Sequence, residues 1–243
     1  LGSSPPSNSF YNPKLYTKEY SYPLLVYVCN NCWLMQVEQF TKKEELFDRN
    51  YPYLSGTSLT WVNHCKLYAK MIIDKLALDN ESLVIELASN DGTLLNFFKK
   101  KKIKCLGIEP TNSTAKISKN KKIDTLIKFF DFELAKKLSS KNIKADLLIA
   151  NNVFAHVPNL NSFTKGVKKI LKKNGIVTIE FPHLLNLIKF NQYDTIYHEH
   201  FSYFSLISAV NILKKHKLKV FDLHILETHG GSLRLFVTHL DNK

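Results

Sequence analysis

The chain is 243 residues long, 44% hydrophobic, and carries a formal net charge of +13. That composition is ordinary for a folded domain and excludes an intrinsically disordered chain, and no apolar run is long enough for a bilayer-spanning helix. The N-terminal stretch LGSSPPSNSF has no basic-then-apolar leader, so neither a membrane nor a secreted protein is expected; lacking a starting Met, it reads as the inside of a longer protein.

The basic excess raises the question of nucleic acid. Only Arg49 and Arg234 are arginines, and the lysines are scattered over several amphipathic segments with KKKK at 99–102 as the one block. Lys lacks the planar fork that reads bases and phosphates bidentately, so this pattern reads as solvated helix faces and no nucleic-acid partner is expected. The four cysteines, Cys29, Cys32, Cys65 and Cys105, are too few and too unevenly spaced for a disulfide framework, which points to cytosolic thiols.

Residues 1–50, rich in Pro, Ser, Tyr and Asn, read as a small separate module in which a strand-like stretch leads into Cys29-Asn30-Asn31-Cys32. A C-x-x-C knuckle offers two thiolates to a tetrahedral zinc that needs four ligands in a structural site, so Cys29 and Cys32 are half a site. A redox pair, for which no βαβ pattern surrounds the motif, and chance spacing are the alternatives. Over 51–82 come a linker and a helix, marked by Trp61, His64, Leu67, Tyr68, Met71 and Ile72 at helical spacing. From 83 to 243 strands and helices alternate. LVIEL (83–87) precedes a helix from Thr93, KCLGIE (104–109) one from Ser113, and DTLIKFF (124–130) one from Asp131. ADLLIA, ending at Ala150, leads to a helix over 160–173, and GIVTIEF (175–181) completes a fifth unit. Short apolar strands separated by amphipathic helices specify a parallel sheet covered on both faces, an α/β, doubly wound fold. LKVFDLHIL (218–226) and LRLFVTHL (233–240), joined through ETHGGS, add an antiparallel pair, and that closure is the arrangement of Rossmann-like methyltransferases.

Four stretches could carry chemistry. In Glu86-Leu87-Ala88-Ser89-Asn90-Asp91-Gly92, a strand ends in an acid and a small-residue loop opens a helix at the carboxyl end of the sheet, where doubly wound folds bind ligands. It has too few glycines for a dinucleotide or P-loop motif; a plain turn with an N-cap is the bland alternative. Gly107-Ile108-Glu109-Pro110 places a second acid where it can accept both hydroxyls of a ribose. Together these loops resemble the S-adenosylmethionine site of class I methyltransferases. That resemblance implies Glu86, Ala88, Asn90 and Gly92 around the methionine part, Glu109 on the ribose, Phe129 and Phe130 near the adenine, and Asn151 near the sulfonium. NNVFAHVP (151–158) follows the fourth strand and contains His156. Asp194-Thr195-Ile196-Tyr197-His198-Glu199-His200-Phe201 packs titratable groups among aromatics, which leaves a neutral imidazole available as a base. A His-x-His metal pair and a satisfied polar core cluster compete with that reading.

The chain resembles, from about residue 8 to residue 239, the C-methyltransferases that act on nucleotide-linked keto-deoxysugars. The motifs are YPL-x-V-x-x-C-x-x-C (22–32), YPYLSG (51–56), ELASNDG (86–92), GIEP (107–110), NNVFAHVPN (151–159), DTIYHEHFSYFS (194–205) and THGGSLR (228–234). The resemblance implies a class I methyltransferase fold preceded by a zinc-binding-type module, S-adenosylmethionine as cofactor, a structural zinc, and base-assisted methylation next to a sugar ketone, C-3 favoured. It implies His200 as base, Glu199 and Tyr197 orienting it or contacting the sugar, and His156 and Tyr51 polarising the ketone oxygen. Tyr53 competes with Tyr51, Glu199 could share the base's task, and THGGS reads equally as pocket wall or plain turn. The resemblance also implies that a second cysteine pair and a further C-terminal domain are missing here. A monomer in the cytoplasm, acting on a nucleotide-linked keto-sugar, is expected; methylation of an oxygen or of another small ketone is the alternative.

Overall fold

The computed structural model describes residues 1–8, 19–47 and 51–242; Arg49 and the module boundary expected at residue 50 lie outside the described residues. The core of the molecule is a seven-stranded sheet, in which β5 (Leu83–Leu87), β6 (Lys104–Ile108), β7 (Asp124–Leu126), β8 (Ala145–Asn151) and β9 (Leu171–Pro182) are parallel. The closing hairpin consists of β11 (Leu218–Leu226) and β12 (Ser232–His239), and β12 inserts antiparallel between β11 and β9. The spatial order is β11-β12-β9-β8-β5-β6-β7. Strand order therefore reverses between β5 and β8, and a ligand crevice opens at their carboxyl ends. Val84, Ile85, Leu147, Leu148, Val177 and Leu235 are buried on the two faces, as expected of strands covered on both sides.

Helices cover the sheet where the apolar periodicity places them. The first, α2 (Leu59–Leu76), begins at Ser58, whose hydroxyl accepts from the Trp61 N–H, and buries Cys65, Tyr68, Ala69 and Ile72. Asp131 caps α5 (Phe132–Ser140) by accepting from the Leu134 N–H, and Asn159 caps α6 (Leu160–Ile170) the same way from Ser162. Two boundaries differ from the sequence reading. The helix expected over 160–173 stops at Ile170, because Leu171 pairs with Ala145 and begins β9. The third strand ends at Leu126 instead of running to residue 130, since β7 is the sheet edge with β6 as its neighbour, and the chain turns off to carry Phe129 and Phe130 to the crevice.

The N-terminal module is fastened to this domain. Its strands β3 (Val26–Val28) and β4 (Met35–Val37) form a three-stranded sheet whose third strand, β10 (Ser202–Tyr203), comes from the far end of the chain. Leu34 is buried in the main core. A short helix, α1 (Lys43–Leu46), brings Lys43 and Phe47 to the crevice. The module expected as a separate unit thus shares a sheet with the last third of the chain.

Candidate active site

A cavity of about 780 Å³ occupies the switch point at the carboxyl ends of the strands. Its cofactor-type side is built on the loop after β5. Ala88, Asn90 and Gly92 all have left-handed backbones (φ +53°, +49° and +74°). Such a conformation costs a non-glycine residue roughly 1–2 kcal/mol, so the alternation holds only because its neighbours fix it. Glu109 does so, its Oε2 accepting from the Asn90 N–H (2.8 Å) and its Oε1 from the Thr111 N–H (2.8 Å) and hydroxyl (2.6 Å). The Asn90 side chain joins the loop to the linker, accepting from the Ser55 N–H (2.9 Å) and donating to the Tyr53 carbonyl (3.1 Å). A side chain at Gly92 would meet Ser118 Oγ at 2.6 Å and Ile123 Cδ1 at 2.8 Å, so the helix that follows fits only a glycine there.

Of the residues expected around the cofactor, Ala88, Asn90, Glu109, Phe129, Phe130 and Asn151 line the cavity. Glu86 and Gly92 are not among the lining residues. Gly92 acts as the turn at the head of α3 (Thr93–Lys100). Glu86 is buried behind the loop with its Oε2 unpaired; burial, reinforced by Asp91 and Glu109, pushes its carboxyl well above the ordinary range. Of the four residues expected around the methionine part, these two therefore stand behind the cavity lining. Asn151 lines the cavity with both side-chain amide atoms buried and unpaired, and Asn152 Oδ1 is unpaired as well. Buried polar groups are nearly always satisfied, so this floor matches a polar ligand. The donor and acceptor set fits S-adenosylmethionine: a carboxylate placed for ribose hydroxyls, aromatic rings from Phe129 and Phe130, and open amides at Asn151.

The opposite side carries the histidine cluster. His200 Nδ1 donates to the Thr195 carbonyl (3.0 Å), which leaves Nε2 with the lone pair that accepts from the Tyr197 hydroxyl (2.9 Å). Burial, with His156 close by, pushes the His200 imidazole down to about 3. Its ring lies 4.7 Å from that of His156, itself pushed down to about 4 by burial. Both are neutral at physiological pH. His156 Nδ1 donates to the Glu199 carbonyl (2.8 Å), so Nε2 is an acceptor. The expected donation from His156 to a ketone oxygen is therefore corrected: the neutral ring has no second N–H to give. Tyr51 can donate, because burial and the Glu199 carboxylate push its phenol pKa up, and the Tyr197 phenol is raised the same way. Tyr53 also lines the cavity, but it is Tyr51 that shares a ring neighbour with the cluster, Phe47 lying 5.4 Å from Tyr51 and 5.6 Å from His156.

Two residues of this site escaped sequence reading. Ser7 and Asn8 hold the Glu199 carboxylate: Oε1 accepts from the Ser7 hydroxyl (3.1 Å), the Asn8 N–H (3.2 Å) and Asn8 Nδ2 (2.9 Å), and Oε2 accepts from Asn8 Nδ2 (2.7 Å). Burial nonetheless keeps the Glu199 carboxyl above its ordinary value. The His-x-His metal reading fails on geometry. His198 points toward the N-terminal module, where its Nε2 lies 3.1 Å from the Pro23 carbonyl, while His200 faces the cavity.

Cys29 and Cys32 sit on a tight turn in which the Cys29 N–H donates to the Leu34 carbonyl and the Trp33 N–H to the Cys29 carbonyl, both 2.9 Å. Backbone N–H groups of Cys32 and Asn31, with the Cys32 thiol, lower the Cys29 thiol pKa. Among the described residues no group of three or more His, Cys, Asp or Glu side chains could hold a metal ion, so the pair does not make a complete zinc site. No described helix is long and apolar enough to cross a membrane.

An α/β sheet closed by an antiparallel hairpin, with an acid-bearing loop at its switch point, defines a class I methyltransferase fold, and a methyltransferase domain model matches residues 51–223. The chain belongs to that family. Residues 1–47 match a model described as "Putative zinc binding domain". The chain is 32% identical over 215 residues to C-methyltransferase NovU of Streptomyces niveus, covering 88% of this chain and 51% of that protein. It therefore spans about half the length of the curated relative it matches. Among solved structures, the PH0226 protein of Pyrococcus horikoshii shares the fold with a TM-score of 0.61 at 13% identity, covering 82% of this chain and 99% of that one. Magnesium protoporphyrin IX methyltransferase of Synechocystis, solved with bound SAM, has a TM-score of 0.53 at 12% identity, covering 74% of this chain and 81% of that one.

Proposed function

We propose that this chain is an S-adenosylmethionine-dependent C-methyltransferase acting on the carbon next to the ketone of a nucleotide-linked keto-deoxysugar. The observation that carries the reading is the neutral His200–Tyr197–His156 cluster facing an adenosyl-type site across one cavity. Methylating an oxygen needs no base for a C–H bond; methylating carbon does. The relationship to a C-methyltransferase and the motifs shared with keto-deoxysugar enzymes support the same class of acceptor.

In this reading Glu109, Asn90, Asn151, Phe129 and Phe130 hold the cofactor, which when bound supplies an electrophilic methyl group. Tyr51 donates to the ketone oxygen, stabilising the negative charge that develops there as the neighbouring proton leaves. The proton goes to His200 Nε2, whose lone pair is freed as the Tyr197 hydroxyl turns from it to an oxygen of the acceptor, and the Thr195 carbonyl holds the ring in the required tautomer. Ser7 and Asn8 fix the Glu199 carboxylate and close the cavity from the N-terminal side. Excluding water and aligning the acceptor carbon supply much of the acceleration.

Calorimetric titration with S-adenosylhomocysteine tests the cofactor half of the proposal. Saturable binding is expected, and Glu109→Ala should weaken it about 10- to 100-fold, the worth of charged hydrogen bonds to a ribose. A folded chain that binds nothing, or a variant that binds as well as the parent, would overturn this assignment.

A further inference from the structure

The turn Thr228–Gly230 between β11 and β12 is more than a connection. His229 has a left-handed backbone (φ +52°, ψ +44°) and precedes two glycines that also have positive φ, Gly230 (+75°) and Gly231 (+103°). A conformation this costly for a side-chain-bearing residue persists only where the surroundings over-determine it, and it clusters at functional sites. Here the surroundings do so from two directions. Gln192 Nε2 donates to the Gly230 carbonyl (2.9 Å) and the His183 N–H to the Gly231 carbonyl (3.0 Å), both from the segment that leads to Tyr197 and His200. From the sheet, Thr228 Oγ1 donates to Glu180 Oε1 (3.4 Å).

The side chain so displayed is exposed at the cavity wall, and neither ring nitrogen has a hydrogen-bond partner among the described residues. Trp61 packs edge-on against it at 5.2 Å and is itself stacked on His64 at 4.9 Å, so the ring is braced on its protein side and open toward the cavity. If only a turn were needed, glycine would serve better at this φ.

We infer that His229 is an acceptor-binding residue, its imidazole hydrogen-bonding an oxygen of the keto-sugar on the side of the cavity where Trp61 lies. This rests on the substrate class proposed above. A neutral imidazole offers one donor and one acceptor, which suits a sugar hydroxyl or carbonyl. The contact fixes the acceptor in a second direction, so that the carbon beside the ketone is presented to His200.

His229→Gly is the informative variant, because it removes the imidazole while easing the backbone, and His229→Gln, which keeps donor and acceptor groups, is the conservative control. Both are compared with the parent chain in thermal melts, in calorimetry with S-adenosylhomocysteine, and in calorimetry and deuterium exchange with a nucleoside-diphosphate-linked 4-keto-6-deoxyhexose. The expected result is unchanged or raised melting temperature and unchanged S-adenosylhomocysteine affinity for His229→Gly, with about 10-fold weaker keto-sugar binding and partial recovery in His229→Gln. Equal keto-sugar binding by parent and His229→Gly would overturn the assignment alone. Parallel loss of S-adenosylhomocysteine binding would reassign the residue to the cofactor. A parent chain that binds S-adenosylhomocysteine but no keto-sugar would overturn the substrate reading, and this assignment with it.

Discussion

His200→Asn is expected to abolish solvent-deuterium exchange at the acceptor carbon and to slow methyl transfer about 10²- to 10⁴-fold, the usual worth of a positioned general base. Asn keeps a polar group near the Thr195 carbonyl and the Tyr197 hydroxyl but has no lone pair basic enough to take a proton from carbon. Cofactor binding should be unchanged, since His200 lies across the cavity from Glu109 and Asn90. The pH profile supplies an independent check. His200 is held down to about 3 and His156 to about 4, both far below the roughly 6.5 of a free histidine. The rate should therefore show no limb from their protonation near pH 6.5 and none until the medium is far more acidic. Stability should behave differently. Each ring is neutral in the folded chain and gains its proton first in the unfolded one, so these histidines destabilise the fold progressively as pH falls below about 6.5. The His156→Asn, His200→Asn double variant should lose less stability than the parent between neutral pH and pH 5 in denaturant titrations. Exchange that survives in His200→Asn would remove this residue from the base's role.

Arg234→Met should cost about 3–5 kcal/mol, because it strands a buried carboxylate. Glu180 on β9 is fully buried, and Arg234 on β12 nearly so; Arg234 Nη2 and Nε reach Glu180 Oε2 at 2.6 and 3.0 Å. His64 Nε2 lies 2.9 Å from both Glu180 Oε1 and Arg234 Nη2, and the guanidinium stacks 4.3 Å over the Tyr68 ring. Burial alone would raise the Glu180 carboxyl, yet His64 and Arg234 together hold it below its ordinary value. Without the arginine only His64 is left to oppose burial, and the carboxylate stays under-compensated. In a chain of this size the loss corresponds to a melting temperature lower by roughly 10 °C. Removing both charges in Glu180→Leu, Arg234→Met should recover much of it, because the remaining cost of the single change is an unpaired charge and not a lost contact. A double-mutant cycle showing no coupling would overturn the account.

The sheet was legible because its strands are short apolar runs, LVIEL and ADLLIA among them, set between amphipathic helices. That Ala88, Asn90 and Glu109 line the cavity was legible for a related reason: they follow strand ends, and strand ends in this architecture converge on one crevice. What escaped depends on contacts that leave no periodic trace. Ser7 reaches Glu199 across 192 positions, and Ser202–Tyr203 is a strand of two residues recognisable only by its partner. His64 read as one more position on a helix face and Glu180 as the end of a strand; that they meet Arg234 follows from β12 inserting beside β9, which strand composition does not specify. Tautomers were equally hidden. The donor role expected of His156 failed because its one N–H already donates to a carbonyl 43 positions away.

The sheet shared by β3, β4 and β10 bears on how far this protein can be taken apart. Phe201 lies between His200 and β10, and its carbonyl accepts from the Val37 N–H (3.1 Å) while its own N–H donates to the Ala155 carbonyl (2.9 Å). One residue's backbone thus joins the N-terminal strand to the loop that carries His156, one position after His200. Trimming the chain to its methyltransferase match would leave those groups without partners and strip Ser7 and Asn8 from Glu199. The N-terminal segment is a structural wall of the cavity, and a chain that kept the cavity without it would need another element in its place.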